Sequence, residues 1–260
     1  MSIDWLKIFR ESLKEAAEEI MKIYSSDKRT KEISRGWGGD MTLVADRASE
    51  DIIIGNLRNI HADMRIISEE TGEVIIGKSP QYTVMLDPLD GSFNFKNGLL
   101  YFGISIAVLD RNALPIAACV RNIPQDTEYS ATPGGAFRNG VRLKTENRGN
   151  GRSLLVEFSK HRQSKDLDFI LRTIMRMKKV RAPGSIALDL CAVAEGSFDC
   201  LISSGNSRYL DVAAGIYILE QSGGIVSDLK GSRDIRDGAE LKTGNILASA
   251  SREVHEYILG

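Results

Sequence analysis

The segment YTVMLDPLDGS, residues 82–92, changes character at its middle. Tyr82 to Leu86 is an apolar, strand-forming run. It predicts a buried strand that stops at Asp87-Pro88, because proline carries no amide hydrogen for the ladder. Asp87, Pro88, Leu89, Asp90, Gly91 and Ser92 then lead into a loop and a short helix. Two carboxylates two residues apart at a strand end can converge on one cation, and Leu89 between them can lend its carbonyl oxygen. The amides of Gly91 and Ser92 at a helix start suit a phosphate. An all-oxygen ligand set favours a hard ion such as Mg²⁺. Taken alone, the same residues also make an ordinary acidic turn, since Asp-Pro and Asp-Gly are common turn pairs.

Upstream, Trp5, Phe9, Leu13, Ala16, Ile20 and Ile23 recur at helical spacing and predict a long amphipathic helix. A second helix is expected from Asp46, carrying Ala48, Ile52, Ile53, Leu57 and Ile60 toward a core and ending before a strand at Met64–Ser68. The intervening RGWGGDMT, residues 35–42, reads as a glycine-rich mobile loop. Downstream, strands are expected at 101–109, 114–120 and 127–131, and Asn139-Gly140 is a hairpin turn signal. From Leu154 the pattern alternates: strand, helix 165–177, strand, a helix from Ser185 to a stop at Gly196, strand, a helix near 211–222, then a last strand and helix. Residues 1–145 therefore form a helix-helix-sheet half and 146–260 an α/β half, with no repeat or flexible linker between them.

The chain has 260 residues, 34 Lys+Arg against 35 Asp+Glu and a formal charge of −1. That excludes a disordered or collagenous chain and leaves no overall basic field to attract nucleic acid or an anionic membrane. Phosphate binding must then be local. Cys119, Cys191 and Cys200 form no CxxC pair, and His61, His161 and His255 are scattered, so a thiol or imidazole metal cage is not expected. The first 20 residues carry carboxylates from Asp4 onward and fail as a signal peptide or membrane span, which points to a reducing, cytoplasmic compartment.

Three further acidic spots accompany the first. Glu69-Glu70 follows the strand ending at Ser68, Asp46 opens the second helix, and Asp211 opens a helix in YLDVAA. Singly, each is an ordinary helix cap or a solvated loop pair. In this order and at these separations, the set resembles the inositol monophosphatase family of Mg²⁺-dependent, lithium-sensitive sugar-phosphate phosphatases. The resemblance covers nearly the whole chain, including GAFRNG at 135–140, Pro183-Gly184-Ser185 and Gly223-Gly224. The archaeal members that hydrolyse both inositol monophosphate and fructose 1,6-bisphosphate look most similar, through the glycine-rich first loop and the NSRYLD run.

The resemblance implies an α/β protein of the α+β kind, a layered α-β-α-β-α sandwich of the sugar-phosphatase type, and a homodimer. It implies that Glu69, Asp87 and the Leu89 carbonyl hold one Mg²⁺, and that Asp87, Asp90 and Asp211 hold a second. Glu69 would help a looser third, and Mn²⁺ would substitute. Asp90, Gly91 and Ser92 would contact the phosphate, while Asp46 and the Ser92 hydroxyl orient the attacking water. Arg181, Ser185 and Ile186 fall where the family contacts the sugar or inositol. The repulsion among gathered carboxylates, about 4 kcal/mol per close pair at an effective dielectric of about 20, agrees with a cation-requiring site. Two such ions need no protein nucleophile.

The chain departs from the family pattern at a few positions. Leu210 stands where most members have Trp, and Ser92 replaces the more common Thr while keeping the hydroxyl. Ser204 stands where inositol-specific relatives often carry a carboxylate and archaeal bisphosphatases a basic residue, and Arg208 is a second source of positive charge or else a helix-capping arginine. Two rivals stay open at this point: a nucleotide 3′-phosphatase or NADP phosphatase using the same metals, and a non-catalytic metal-binding regulatory protein.

Overall fold

The computed structural model describes residues 3–37, 39–145, 153–158, 166–204, 208–237 and 242–260. Helix α1 (Trp5–Tyr24) is started by Asp4, whose carboxylate accepts from the Lys7 amide at 3.1 Å, and it buries Trp5, Phe9, Leu13, Ala16 and Ile20 along one stripe. The stretch expected to be only a loop is instead closed by a hairpin. Strand β1 (Glu32–Arg35) pairs antiparallel with β2 (Met41–Leu43), and the Gly36 amide donates to the Asp40 carbonyl at 2.9 Å. Gly38 lies outside the described residues. Helix α2 (Val44–Arg58) follows directly and packs on α1.

Next come β3 (Met64–Ser68), β4 (Gly72–Ile76), β5 (Tyr82–Asp90), α3 (Ser92–Asn97), β6 (Gly103–Leu109), β7 (Pro115–Asn122), β8 (Thr127–Thr132), β9 (Gly135–Arg138) and β10 (Val141–Leu143). They build a mixed sheet in the order β10-β9-β8-β7-β6-β5-β3-β4, parallel at β3 and β5. The β9–β10 turn bears out its signal: Asn139 and Gly140 have φ of +50° and +77°, as a type I′ hairpin requires.

Strand β5 corrects one expectation, for it continues through Pro88 to Asp90. Its partner β3 pairs only as far as Leu86, and the register with β6 jumps from Asp87↔Ser105 to Asp90↔Gly103. No ladder bond is asked of Pro88 inside that irregularity, so the missing amide costs nothing. The bulge also turns both Asp87 and Asp90 toward one end of the sheet.

The second half comprises β11 (Ser153–Phe158), α4 (Leu167–Arg176), β12 (Lys179–Arg181), α5 (Ile186–Ala194), β13 (Cys200–Ser204), α6 (Tyr209–Ser222), β14 (Ile225–Ser227), β15 (Arg236–Asp237), β16 (Lys242–Thr243), β17 (Ile246–Ser249) and α7 (Arg252–Leu259). Residue 165, where the α4 helix was expected to begin, lies outside the described residues. The sheet order is β12-β11-β13-β17-β14, with β11 parallel to β12 and β13, and β17 antiparallel to its neighbours.

Three apolar clusters glue the layers. Phe9, Ile20, Ile53 and Leu57 of α1 and α2 pack on Ile66, Leu86 and Ile106 of the large sheet. The other face contributes Met85, Ala107 and Val120, which pack with Leu190 and Ile218 of α5 and α6 and, beyond them, with Leu155 and Leu201 of the small sheet. Successive side chains of β11 point to opposite faces, so Leu154 and Val156 turn away from Leu155 and meet Ile170, Val254 and Ile258 of α4 and α7. The result is an α-β-α-β-α sandwich whose middle cluster spans both halves of the chain. Each Val, Leu, Ile, Phe or Met side chain among them, fully buried, contributes about 1.5–3 kcal/mol. Among the described residues, no helix is long and apolar enough to cross a membrane.

Candidate active site

A cleft of about 210 Å³ opens where the bulged end of β5 meets the start of α6. Its walls are Glu69, Asp87, Leu89, Asp90, Gly91, Ser92, Glu157, Gly184, Ile186, Ser203, Arg208 and Asp211. Helix geometry aims two of the acids. Asp211 is the third residue of α6, and its Oδ2 accepts the Arg208 amide at 2.9 Å. Asp46 holds the same place in α2, and its Oδ2 accepts the Leu43 amide at 2.5 Å. Both carboxylates thus cap a helix from its third position and benefit from the positive end of its dipole.

Glu69, Asp87 and Asp211 each present a carboxylate oxygen within 4.8 Å of the others. Asp87 also accepts the Leu89 amide at 3.0 Å. Asp90 is fixed by two donors, the Ser185 hydroxyl at 2.5 Å and the Ala187 amide at 2.8 Å. The acids are pushed toward their neutral forms. Burial, then Glu69, Asp90 and Asp211, hold the Asp87 carboxyl well above the usual carboxylate range. Burial raises Asp90 to about 7 against the pull of its two donors, and raises Asp211 to about 6 although Arg208 opposes it. Asp46 is likewise well above its ordinary value through burial, with Glu70, Glu69 and Glu50 adding to the effect. A site in which this many acids resist ionisation is one that cations would relieve.

The guanidinium of Arg208 already serves that purpose in part. Its Nη2 donates to Asp211 Oδ1 at 2.8 Å and also to Glu69. Burial alone would lower the Arg208 pKa, but Glu69 and Asp211 drive it up.

The β3–β4 turn that carries Glu69 and Glu70 is held from below by Glu50 of α2, a fully buried carboxylate. It accepts from Ser68, from the Thr71 hydroxyl and amide, and from Arg47 at 2.8 Å. Glu70 accepts from Thr42, and its carbonyl receives the Trp37 amide at 3.0 Å, which ties the first hairpin to the site. Gly91 caps α3 with φ of +83°, and a Cβ there would lie 3.0 Å from the Tyr101 carbonyl, so the motif glycine is sterically required.

Of the residues singled out in the sequence, Glu69, Asp87, Leu89, Asp90, Gly91, Ser92, Ile186, Arg208 and Asp211 come together in the cleft. Asp46 is buried behind Glu69 and Glu70. Ser185 is buried and acts on Asp90. Ser204 is buried at the end of β13, next to the cleft residue Ser203. Arg181 is exposed at the end of β12, with Nη1 on the Val180 carbonyl at 2.8 Å, and does not line the cleft. The sequence reading missed Glu157, Ser203, Glu50 and Asp189. A carboxylate at the end of a strand in the parallel half was the available signal for Glu157.

Comparison with known proteins agrees with this geometry. Residues 4–260 match the inositol monophosphatase family. A fructose-1,6-bisphosphatase/inositol-1-monophosphatase of Thermococcus kodakarensis is 33% identical over 262 residues, covering 100% of this chain and 97% of the relative. A Nus factor SuhB of Pasteurella multocida is 33% identical, covering 84% of this chain and 81% of the relative. A solved structure from Pyrococcus horikoshii, described as having similarities for inositol-1 monophosphatase, superposes with a TM-score of 0.83 at 30% identity, covering 98% of this chain and 96% of the other.

Proposed function

The chain belongs to the inositol monophosphatase family and is a phosphatase, and from that premise we propose that it hydrolyses small sugar or polyol phosphates with the help of Mg²⁺. The observation that carries this reading is the meeting of Glu69, Asp87 and Asp211 oxygens within 4.8 Å, a hard-oxygen donor set that suits Mg²⁺ or Mn²⁺. Glu69, Asp87 and the Leu89 carbonyl would hold one ion, and Asp87, Asp90 and Asp211 another. When bound, such ions act as Lewis acids that neutralise the phosphate and acidify water.

The chain's own groups do the positioning. Asp90, Gly91 and Ser92 receive the phosphate, and the absence of a side chain at Gly91 permits close approach. Asp46 and the Ser92 hydroxyl orient the attacking water. Ile186 and Ser203 bound the space left for the alcohol portion of the substrate. Inositol 1-phosphate and fructose 1,6-bisphosphate, which name the activities of relatives, are the two leading substrates. Adenine would need an aromatic platform, and among the described residues that line the cleft none is aromatic.

We further propose a homodimer, as the family resemblance implies, and a place in the cytoplasm, in keeping with Cys119, Cys191 and Cys200 being free and buried. The decisive experiment is phosphate release from inositol 1-phosphate, fructose 1,6-bisphosphate, 3′-phosphoadenosine 5′-phosphate and NADP, each with Mg²⁺ and with chelator. Release of the first two that vanishes on chelation supports the reading. Release that persists after exhaustive chelation, or that is confined to the nucleotides, overturns it.

A further inference from the structure

Glu157 stands in the cleft without a part in the chemistry assigned above. It is near the C-terminal end of β11, in parallel register opposite Ser203 of β13, and both side chains line the cleft. The carboxyl ends of parallel strands are where α/β sheets take ligands. Two fixed groups hold it. The Gly184 amide donates to Oε1 at 3.0 Å, and on the inner side the carboxyl faces that of Asp189 of α5.

Asp189 is fully buried. Its Oδ1 accepts the Tyr101 hydroxyl at 2.7 Å, whereas its Oδ2, also buried, meets no N–H or hydroxyl donor. Two buried carboxyls that face each other favour keeping a proton between them. Burial raises both Glu157 and Asp189 above the ordinary carboxylate range, as retention of that proton requires. Glu157 is therefore held in a fixed orientation, and none of the groups holding it is a proposed metal ligand.

The geometry points to Glu157 as the group that reads a hydroxyl on the alcohol portion of the substrate, making the site selective for polyol monophosphates; this rests on the phosphatase reading above. An acceptor held on two sides and facing a cleft is matched by an O–H donor, and it gains most from a donor that arrives already oriented by the bound phosphate. A carboxyl group on this wall also offers a second phosphate no donor beyond what its own proton supplies, so the preferred substrate carries its hydroxyls, and no distal phosphate, here.

The test compares inositol 1-phosphate with p-nitrophenyl phosphate, which carries no hydroxyl, in the wild-type enzyme, Glu157→Ala and Glu157→Gln, each at saturating Mg²⁺. In Glu157→Ala the ratio of kcat/KM for inositol 1-phosphate to that for p-nitrophenyl phosphate should fall by about tenfold or more, the loss expected for a hydrogen bond to a charged group. In Glu157→Gln the amide N–H₂ can donate to the facing Asp189 carboxyl while Oε1 still accepts from Gly184, so this variant should keep the wild-type melting temperature. Its ratio should fall severalfold, since a neutral oxygen accepts more weakly. An unchanged ratio in both variants, or an equal loss on both substrates, overturns the assignment. Should Glu157→Ala fail to fold, Glu157→Gln decides alone. A wild-type enzyme that cleaves p-nitrophenyl phosphate but no polyol phosphate sinks the substrate reading and this one together, whereas polyol cleavage indifferent to Glu157 sinks only this one.

Discussion

Arg208 grips Asp211 through its amide at 2.9 Å, its Nε at 3.2 Å and its Nη2 at 2.8 Å. The same Nη2 reaches Glu69, so a side-chain cation bridges two acids assigned to metal ions. Cations of higher charge arriving there must displace it, which frees the guanidinium to face an incoming phosphate. Arg208→Ala should therefore weaken the metal-free fold and tighten metal binding. The loss of charge-assisted hydrogen bonds, about 1–2 kcal/mol, corresponds to a fall of about 2–8 °C in the metal-free Tm. Calorimetric titration should show Mg²⁺ affinity raised by about tenfold, since no guanidinium has to move. Unchanged or weaker Mg²⁺ affinity would mean that Arg208 does not compete with the metal.

Asp87 gives the opposite signature. It is the acid most hemmed in by others, with Glu69, Asp90 and Asp211 all raising its pKa after burial, and it is shared by both proposed ions. Asp87→Asn removes a charge that the metal-free fold tolerates poorly, so the metal-free Tm should hold or rise. Turnover should drop by about 10³-fold or more, and the rise in Tm on adding Mg²⁺ should disappear. An Asp87→Asn enzyme still stabilised by Mg²⁺ to the wild-type extent contradicts its place at the metal.

The raised acids also fix how stability varies with pH. In the unfolded chain each titrates at about 3.9. In the folded, metal-free chain Asp211 titrates at about 6 and Asp90 at about 7, with Asp87 and Asp46 also above their ordinary values. The folded state binds protons more tightly, so this contribution is fully present below a pH of about 4. It is lost as pH rises through about 6 and about 7. In chelator, Tm should fall between pH of about 5 and about 7.5. With saturating Mg²⁺ the fall should be largely cancelled, because metal replaces the protons and binds more tightly as pH rises. Thermal scans at four pH values with and without Mg²⁺ check this, and a Mg²⁺-induced shift that shrinks with rising pH would be the wrong sign.

What was legible from the sequence divides by range. The helices and the acidic motifs are local signals: Asp211 and Asp46 each sit three residues into a helix whose start they cap, and the apolar stripe of α1 can be counted off the chain. The hairpin β1–β2 was hidden because Glu32 to Arg35 is exposed throughout and shows no apolar alternation. The end of β5 was misread because proline's effect depends on whether a neighbour asks for its amide, which only the β6 register answers. Glu157 required more still. The α/β alternation and a carboxylate at a strand end were legible, but the role proposed for Glu157 also depends on its facing Asp189 of α5, a contact between distant segments that leaves no trace in the residues around it. Arg181 shows the converse, a residue whose position in the chain suggested the site while its side chain lies outside the cleft.

The final expectation separates orienting a water from holding a metal. Ser92 lines the cleft beside Asp90, whereas Asp46 is buried behind Glu69 and Glu70 with one oxygen committed to the Leu43 amide. Neither belongs to the three acids whose oxygens converge. Ser92→Ala removes a hydroxyl and leaves the carboxylates in place. Asp46→Asn keeps an oxygen to accept from Leu43, so α2 retains its cap, but it exchanges a proton-accepting carboxylate for an amide. Each variant should lower kcat by about 10²–10⁴ while the Mg²⁺ midpoint moves by less than about threefold, since positioning and proton acceptance act on the attacking group. Mg²⁺ titrations of both variants beside Asp87→Asn provide the contrast. A kcat restored to the wild-type value at high Mg²⁺ would make Asp46 or Ser92 a metal ligand. A kcat that stays low at every Mg²⁺ concentration, with an unshifted midpoint, assigns the pair to the water.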